Sequence, residues 1–372
     1  MRVAHVTEVS AGGVRRLVAD FAADQVRRGL DVHVVGEASL AELPGMHHAW
    51  QGSRRRPAAA ALDWARLHLL LRDLAPDVVH LHSFFAGAFA RTRPVRPPYA
   101  VVYQPHSWAF DAVDSERARG VIAGFERWAG RRTDLVATNC ADEISEAQTN
   151  GIDTRAQPLG VPIDLDYFVP PGSGERALLR ARLGIADGAA LVCMGRVARQ
   201  KGYDILVAEW ERQPVPGAAL YLVGAGSTDG LAALAPRQWG RTIVGVGSTD
   251  DPRAWLQAAD LLLLPSRYEG QSVAVSEALA CGLPVVAFEV NGARSAICDD
   301  GDPAGAVVAA GNASALLAEA QRRLDDPELL VAESKRARFR AERDNVAGTV
   351  FDRVVGAYEA ALAVRRSRGA RP

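Results

Sequence analysis

The stretch 265-PSRYEGQSVAVSEALACGLPVVAF-288 limits the fold more tightly than any other part of the chain. It follows Leu261 to Leu264, an uninterrupted apolar run of the kind shown by a short strand buried on both faces. Ser266 and Gly270 are turn formers. Beyond them Val273, Ala274, Val275, Ala278, Leu279 and Ala280 surround Glu277, and Gly282 and Pro284 close the segment, which predicts a helix of about three turns. Pro284 to Phe288 is apolar again and predicts a second strand. Strand, acidic loop, helix, strand is the repeating unit of a parallel α/β sheet. It puts Glu269 in a loop at the carboxyl end of a strand, where open α/β sheets hold their ligands. Glu277 follows on the helix, with seven residues between the two glutamates.

Two carboxylates so placed can accept hydrogen bonds from vicinal hydroxyls, the grip proteins use on ribose and pyranose rings. The N–H groups of Gly270, Gln271, Ser272 and Val273, at the start of the helix, add donors for an anion or a sugar oxygen. Surface carboxylates are commonly just solvated. The apolar neighbours of Glu277 argue that its charge has a partner.

A second constellation is Gly195-Arg196-Val197-Ala198-Arg199-Gln200-Lys201-Gly202-Tyr203, after the predicted strand Ala190 to Met194. Arg196 and Lys201 flank a turn at a strand's carboxyl end, and two cations there can clamp a diphosphate. The next two strands end in glycine turns, Gly224-Ala225-Gly226 and Gly247-Ser248, small enough for backbone to approach a flat ring.

The first half opens with another βαβ unit. Val3 to Val6 is a strand, Ser10-Ala11-Gly12-Gly13-Val14 a small-residue turn, and Arg15 to Arg28 an amphipathic helix before the strand Val32 to Val35. The dinucleotide fingerprint GxGxxG is absent, so Gly12 and Gly13 form either an empty tight turn or a close backbone approach to a phosphate or acceptor. Residues 39–60 read as irregular and contain the triplet Arg54-Arg55-Arg56, a solvated edge or a contact for an anionic acceptor or lipid headgroups. Val78 to His82 is a strand with two histidines; no third ligand stands nearby in metal-site spacing, and His80 reads as a satisfied core or near-site residue. His106 lies at the carboxyl end of the strand Val101 to Tyr103, a position that favours function over packing.

The chain has 372 residues, 48% hydrophobic and 23% charged, enough for two domains with full cores. A formal net charge of −1 offers no field to recruit nucleic acid. Cys140, Cys193, Cys281 and Cys298 have no CxxC spacing and read as reduced residues of a cytoplasmic protein. No run of eighteen or more apolar residues and no signal peptide is evident, which leaves weak peripheral contact at the inner membrane face as the membrane expectation.

The frame PSRYEG…SEALACGLPVVA, with its Pro-Ser, Glu-Gly, Glu-Ala and Gly-x-Pro-Val pairs around two glutamates, resembles the donor-binding signature of retaining GT-B glycosyltransferases of family 4 (glycosyl transferases group 1). The G-R-x-x-x-x-K-G element at 195–202 is similar to that family's phosphate-contacting turn. The resemblance implies a GT-B fold, two Rossmann-like domains facing each other across a cleft. Residues 1–168 would form the acceptor-side domain and 169–345 the nucleotide-sugar domain, and the segment Pro170-Pro171-Gly172-Ser173-Gly174 reads by its composition as the domain boundary. Residues 346–364 would be a C-terminal helix packing back on the first domain, and 365–372 a basic disordered tail.

By the same resemblance the reaction is glycosyl transfer from a nucleotide-diphosphate sugar, UDP-sugar favoured, with retention. The acceptor would be a glycan, a lipid-linked molecule or a small molecule. Arg196 and Lys201 would bind the diphosphate, with the Gly12-Gly13 loop. Gly224 and Gly247 would line the base and ribose pocket, Glu277 would hold ribose, Glu269 the donor-sugar hydroxyls, and His106 the transferred sugar. No cofactor or metal is expected. The chain departs from the family pattern at Ser107, Leu159 and Ser295. A nucleotide-sugar epimerase, a phosphorylase and a non-catalytic nucleotide-sugar binder are the alternatives. An oxidoreductase is disfavoured by the missing GxGxxG.

Overall fold

The computed structural model describes residues 1–52, 57–93, 95–298 and 301–369. The triplet Arg54-Arg55-Arg56 lies outside the described residues. The chain divides into two compact units, Met1–Pro162 with Gly348–Pro372, and Ile163–Ala347.

The first unit holds strands β1 (Arg2–Thr7), β2 (Asp31–Gly36), β3 (Met46–Ala49), β4 (Val78–His82), β5 (Ala100–Gln104), β6 (Leu135–Thr138) and β7 (Ala156–Pro158). They form one parallel seven-stranded sheet in the order β3-β2-β1-β4-β5-β6-β7. All five residues of β4 and of β5 are buried, as strands covered by helices on both faces must be. The short edge strand β3 runs through Met46-His47-His48-Ala49, where the sequence reads as irregular; half-exposed and rich in histidine, it lacks the apolar run that marks an inner strand. Trp108, Tyr103 and Phe110 are fully buried in the main core of this unit. Arg91 is buried too, with its guanidinium 3.7 Å from the Tyr103 ring centre and paired to the buried Glu126 at 2.9 Å.

The second unit holds β8 (Ala189–Met194), β9 (Ala218–Val223), β10 (Ile243–Gly247), β11 (Leu261–Leu264), β12 (Val285–Phe288) and β13 (Gly305–Val308). They form a parallel six-stranded sheet in the order β10-β9-β8-β11-β12-β13. Its core centres on Trp210, Leu206, Leu220, Leu263 and Phe288. The flanking helices start where the sequence supplies caps. Asp251 accepts from Ala254 N–H at 3.1 Å, Asn312 from Ala315 at 3.0 Å and Asp326 from Leu329 at 3.0 Å.

Each unit is therefore a doubly wound α/β sheet, and the GT-B expectation of two Rossmann-like units is met. In each, the strand order reverses once, between β1 and β4 and between β8 and β11. The crevice at the carboxyl ends of such a strand pair is the ligand position of the fold.

Three boundaries differ from expectation. Ile163 to Phe168 fall in the second unit, not the first, because their partners are there: Ile163 N–H donates to Asn345 at 3.0 Å and Arg338 donates to the Phe168 carbonyl at 2.7 Å. The boundary signature Pro170-Pro171-Gly172 marks a loop inside that unit. The C-terminal helix is Ala347–Gly369, so the basic segment read as a disordered tail from 365 continues the helix to Gly369. Its charges do not break the helix, and Arg365 donates to the Pro97 carbonyl.

Candidate functional site

At the carboxyl end of β8 the chain turns through Gly195 and Arg196 into a short 3-10 turn, Arg199–Lys201, and then the helix Tyr203–Arg212. At the carboxyl end of the neighbouring β11 it enters the acidic loop. The two loops meet. Lys201 Nζ stands 2.7 Å from Glu269 Oε1, the Ser266 hydroxyl donates to the same oxygen at 2.7 Å, and Gln200 Nε2 lies 3.4 Å from Oε2. Lys201 uses one of its three N–H donors there.

A second latch joins the same loops. Arg267 grips Asp204 with both guanidinium nitrogens at 2.7 and 2.6 Å, and it donates to the Arg199 carbonyl at 2.8 Å. The Arg267 guanidinium holds the Asp204 carboxyl below its ordinary range. Glu269 itself is 6% exposed, yet it accepts charge-assisted bonds that offset its desolvation. Arg196, by contrast, is exposed. Among the described residues no ion pair or hydrogen bond engages its side chain, so the structure leaves it directed to solvent beside the Lys201–Glu269 pair in sequence rather than within it.

The two loops approach closely because of glycine. Gly202 has φ +64°, and a Cβ there would overlap the Pro265 carbonyl at the root of the acidic loop. Gly224 has φ +152° at the end of β9, and a Cβ would overlap the Gly195 carbonyl. Gly224 N–H in turn donates to the Gly247 carbonyl at 2.7 Å, so Gly195, Gly224 and Gly247 line adjacent strand ends.

The helix after the acidic loop is Val273–Ala280, eight residues rather than the expected three turns. Gly270, Gln271 and Ser272 precede it as loop, and the helix begins at Val273. Ser272 is its N-cap by position but makes no cap bond, and its buried hydroxyl has no partner among the described residues. An orphan hydroxyl beside unpaired helix N–H groups suits an oxygen-rich ligand. Glu277, in the second turn, is 5% exposed. Gly292, after β12, has φ +76° and packs on Gln271, 3.0 Å from where its Cβ would stand.

In the first unit the helix Gly12–Arg27 starts at Gly12, three residues before the sequence suggests, with Gly12 at φ +73° and both glycines exposed. Ala11 at the N-cap offers no side chain to its first N–H groups. His106 lies just past β5 in a left-handed backbone pair, φ +57° at His106 and +100° at Ser107. Such conformations cost on the order of 1–3 kcal/mol each in a non-glycine residue and cluster at functional sites. Glu143 holds them in place: its carboxylate accepts from Ser107 N–H at 2.9 Å and from Asn139 N–H at 2.7 Å. Burial pushes the Glu143 carboxyl up to about 7, against the pull of these backbone donors. Burial likewise pushes the His106 imidazole down to about 3, with the Asn139 side chain opposing.

His106 Nε2 lies 3.0 Å from His82 Nδ1. The sequence offers no third histidine near His80 and His82; the sheet supplies one, because β1 and β4 pair with His5 beside His80. Ring nitrogens of His5, His80 and His82 lie within 4.8 Å of one another. Glu143, Gln200, Ser266 and His5 were not read as site residues from sequence. Gln200, inside the G-R-x-x-x-x-K-G element, and Ser266, a turn former in the Pro-Ser pair, carried local signals.

Comparison with known proteins bears on this geometry. Residues 11–167 match the family described as Glycosyltransferase Family 4, and residues 188–326 the family described as Glycosyl transferases group 1. A D-inositol 3-phosphate glycosyltransferase of Geodermatophilus obscurus is 30% identical over 334 residues, covering 78% of this chain and 73% of that protein. The putative teichuronic acid biosynthesis glycosyltransferase TuaC of Bacillus subtilis is 29% identical over 73% of this chain and 66% of its own. Among solved structures, sucrose-phosphate synthase from Thermosynechococcus elongatus superposes with a TM-score of 0.83 at 20% identity, covering 97% of this chain and 99% of that one. Anabaena HepE in complex with UDP-glucose gives 0.81 at 18% identity, covering 97% and 100%. The fold is therefore GT-B, and the chain belongs to the group 1, family 4 glycosyltransferases.

Proposed function

We propose that this glycosyltransferase takes its sugar from a nucleotide-diphosphate donor, a UDP-sugar by preference, and transfers it with retention of anomeric configuration. The observation that carries the reading is the Lys201–Glu269 pair at the strand-order reversal of the second unit, 2.7 Å apart and latched by Arg267. A cation for phosphate and a carboxylate for hydroxyls then sit side by side, which is the demand of a sugar diphosphate. The HepE complexes with UDP and with UDP-glucose support the choice of donor.

In this reading the diphosphate leaves as the glycosidic bond breaks. Arg196 and Lys201 stabilise its growing negative charge, with N–H groups at Gly12 and Gly13. Glu277 holds ribose, and Gly224 and Gly247 line the base pocket. Glu269 holds donor-sugar hydroxyls with N–H groups from Gly270, Gln271, Ser272 and Val273, and the orphan Ser272 hydroxyl gains a partner. His106 orients the transferred sugar. The leaving phosphate takes the acceptor's proton on the front face, so neither a protein base nor a metal is required. The acceptor is a glycan, a lipid-linked molecule or a small molecule; the D-inositol 3-phosphate glycosyltransferase relatives support a small polyol phosphate. Among the described residues no helix is long and apolar enough to cross a membrane, and the reading places the enzyme in the cytoplasm, with at most peripheral membrane contact.

A thermal-shift series with UDP-, GDP-, ADP- and TDP-sugars selects the donor. Arg196→Ala, Lys201→Ala and Glu277→Ala should then each lower kcat/KM for that donor about a hundredfold or more, the scale of removing one oxyanion-type donor. Unchanged donor affinity and turnover in all three ends the reading.

A further inference from the structure

Burial around His106 goes further than one histidine. From His106 a continuous hydrogen-bonded line runs back through the sheet of the first unit. His106 Nε2 meets His82 Nδ1 at 3.0 Å, His82 Nε2 meets His5 Nδ1 at 2.9 Å, and His5 Nε2 meets the Gln25 amide oxygen at 2.9 Å. The Gln25 amide nitrogen donates to the Tyr358 hydroxyl at 3.0 Å, and that hydroxyl lies 2.9 Å from His80 Nδ1. His5, His80, His82 and Tyr358 are fully buried, and Gln25 is 1% exposed. Burial holds the His5 imidazole down to about 4 and those of His80 and His82 well below their ordinary range, so each ring is neutral and carries one proton.

Neutral rings in a row must all point the same way, since each contributes one donor and one acceptor. The Gln25 oxygen can only accept, so His5 carries its proton on Nε2 and presents a lone pair at Nδ1. His82 must then donate from Nε2 and accept at Nδ1. His106 in turn donates from Nε2 and is left with a bare Nδ1. The far end agrees. The Tyr358 hydroxyl accepts from Gln25 Nε2, so its own proton goes to His80 Nδ1, which leaves the His80 proton on Nε2. His106 Nδ1 is the one nitrogen of the His5–His82–His106 row that makes no hydrogen bond, and it is shielded from solvent, with the Asn139 side chain beside the ring. A bare acceptor there is tolerated more readily than an orphan N–H.

We propose that Gln25, His5 and His82 are positioning residues that lock His106 in the Nε2–H tautomer, which fixes the orientation and the charge of the ring that faces the transferred sugar. The proposal rests on His106 serving that sugar. A neutral imidazole leaves no positive charge beside a sugar that becomes cationic as its bond breaks, whereas an imidazolium would oppose it.

Two of these rings, His5 and His82, stand with His80 close enough together to hold a metal ion. However, 2.9 Å between His5 Nδ1 and His82 Nε2 is a hydrogen-bond distance. Two nitrogens on one tetrahedral zinc ion stand about 3.3 Å apart, from bonds of about 2.0 Å.

The test combines spectra and kinetics. In 15N-imidazole-labelled wild type, His106 should show a protonated Nε2 and an unprotonated Nδ1, with His5 and His82 the same. Gln25→Met, close in shape but without an acceptor, should convert His106 to a tautomer mixture and lower kcat by about ten- to a hundredfold, the range for losing a supporting hydrogen bond to an active imidazole, with donor KM little changed. Gln25→Glu restores the acceptor and should recover the tautomer and most of kcat. A proton on His106 Nδ1 in wild type, a metal-bound shift on His5 or His82, or an unaltered tautomer in a folded Gln25→Met protein overturns the wire. The spectra of wild type decide this even if a variant fails to fold. His106→Ala with wild-type turnover would instead remove the role of His106 while leaving the spectra to judge the wire alone.

Discussion

Glu269 gathers three side chains, and that convergence tells which of its interactions matters. Ser266 and Gln200 are uncharged donors to a carboxylate, so their bonds are charge-assisted, the 2.7 Å Ser266 bond worth about 1.5–3 kcal/mol net and the 3.4 Å Gln200 contact less. Lys201 adds a charge at 2.7 Å where the two side chains are 17% and 7% exposed, dry enough for the attraction to survive screening and wet enough to limit the desolvation cost. A double-mutant cycle of Lys201→Met and Glu269→Gln should therefore give a coupling of roughly 2 kcal/mol in unfolding free energy, measured without ligand. A coupling below about 0.5 kcal/mol would mean that the pair is held by its loops and contributes nothing to them. The cycle also separates structure from binding: either single variant weakens donor binding if both groups serve the donor, but only the coupling reports on the empty site.

At the scale of elements, the two loops of the second unit are brought together by one residue without a side chain. Gly202 closes the 3-10 turn in a left-handed conformation and abuts the Pro265 carbonyl. Gly202→Ala should cost about 3 kcal/mol or more, because backbone strain and a backbone collision add, and Lys201 should separate from Glu269. Chemical denaturation reads the first effect and donor binding the second; a loss under about 1 kcal/mol would show that the acidic loop can retreat freely. Lys201 and Glu269 were legible in the sequence, because strand-terminal turns carry local signatures, whereas Gly202 was read only as part of its motif. The other partners of Glu269 were not legible as such, since Ser266 and Gln200 look like ordinary turn residues until the sheet sets β8 beside β11. The histidine row was hidden for the same reason. His5, His82 and His106 sit on β1, on β4 and just beyond β5, and only parallel pairing aligns them. Glu143 accepts from Asn139 N–H, four residues before it at the start of its own helix, but only tertiary packing brings Ser107 N–H to the same carboxylate, so its role had no signal in the sequence. Edge strand β3 and the helical end of the basic segment were misread because charge and histidine content speak of exposure, not of backbone conformation.

For the whole molecule, the two units differ most in what acid does to them. All eight histidines lie in the first unit, and burial depresses His5 and His68 to about 4 and His106 to about 3, with His80 and His82 also held low. A histidine whose folded value lies below its unfolded 6.5 contributes stability that is complete above pH 6.5 and is lost as pH falls toward the folded value. For His5 that loss is roughly 3 kcal/mol by pH 4, and the others add to it. Glu143 and Asp111, raised by burial to about 7 and about 8, act in the opposite sense: the folded state holds their protons through this window, so they gain stability as pH falls. Six depressed histidines, with His48 lowered by burial as well, against two raised carboxyls leaves a net loss. In the second unit the shifted carboxyls, Asp204, Glu211, Glu289 and Glu319, are all lowered, so their contribution persists until pH falls below the ordinary carboxylate range. Hydrogen exchange followed from pH 7.5 to pH 5 should therefore show β1, β4 and β5 losing protection while β8, β11 and β12 keep theirs. Simultaneous loss in both sheets would show that the buried histidines are not what limits the first unit in acid.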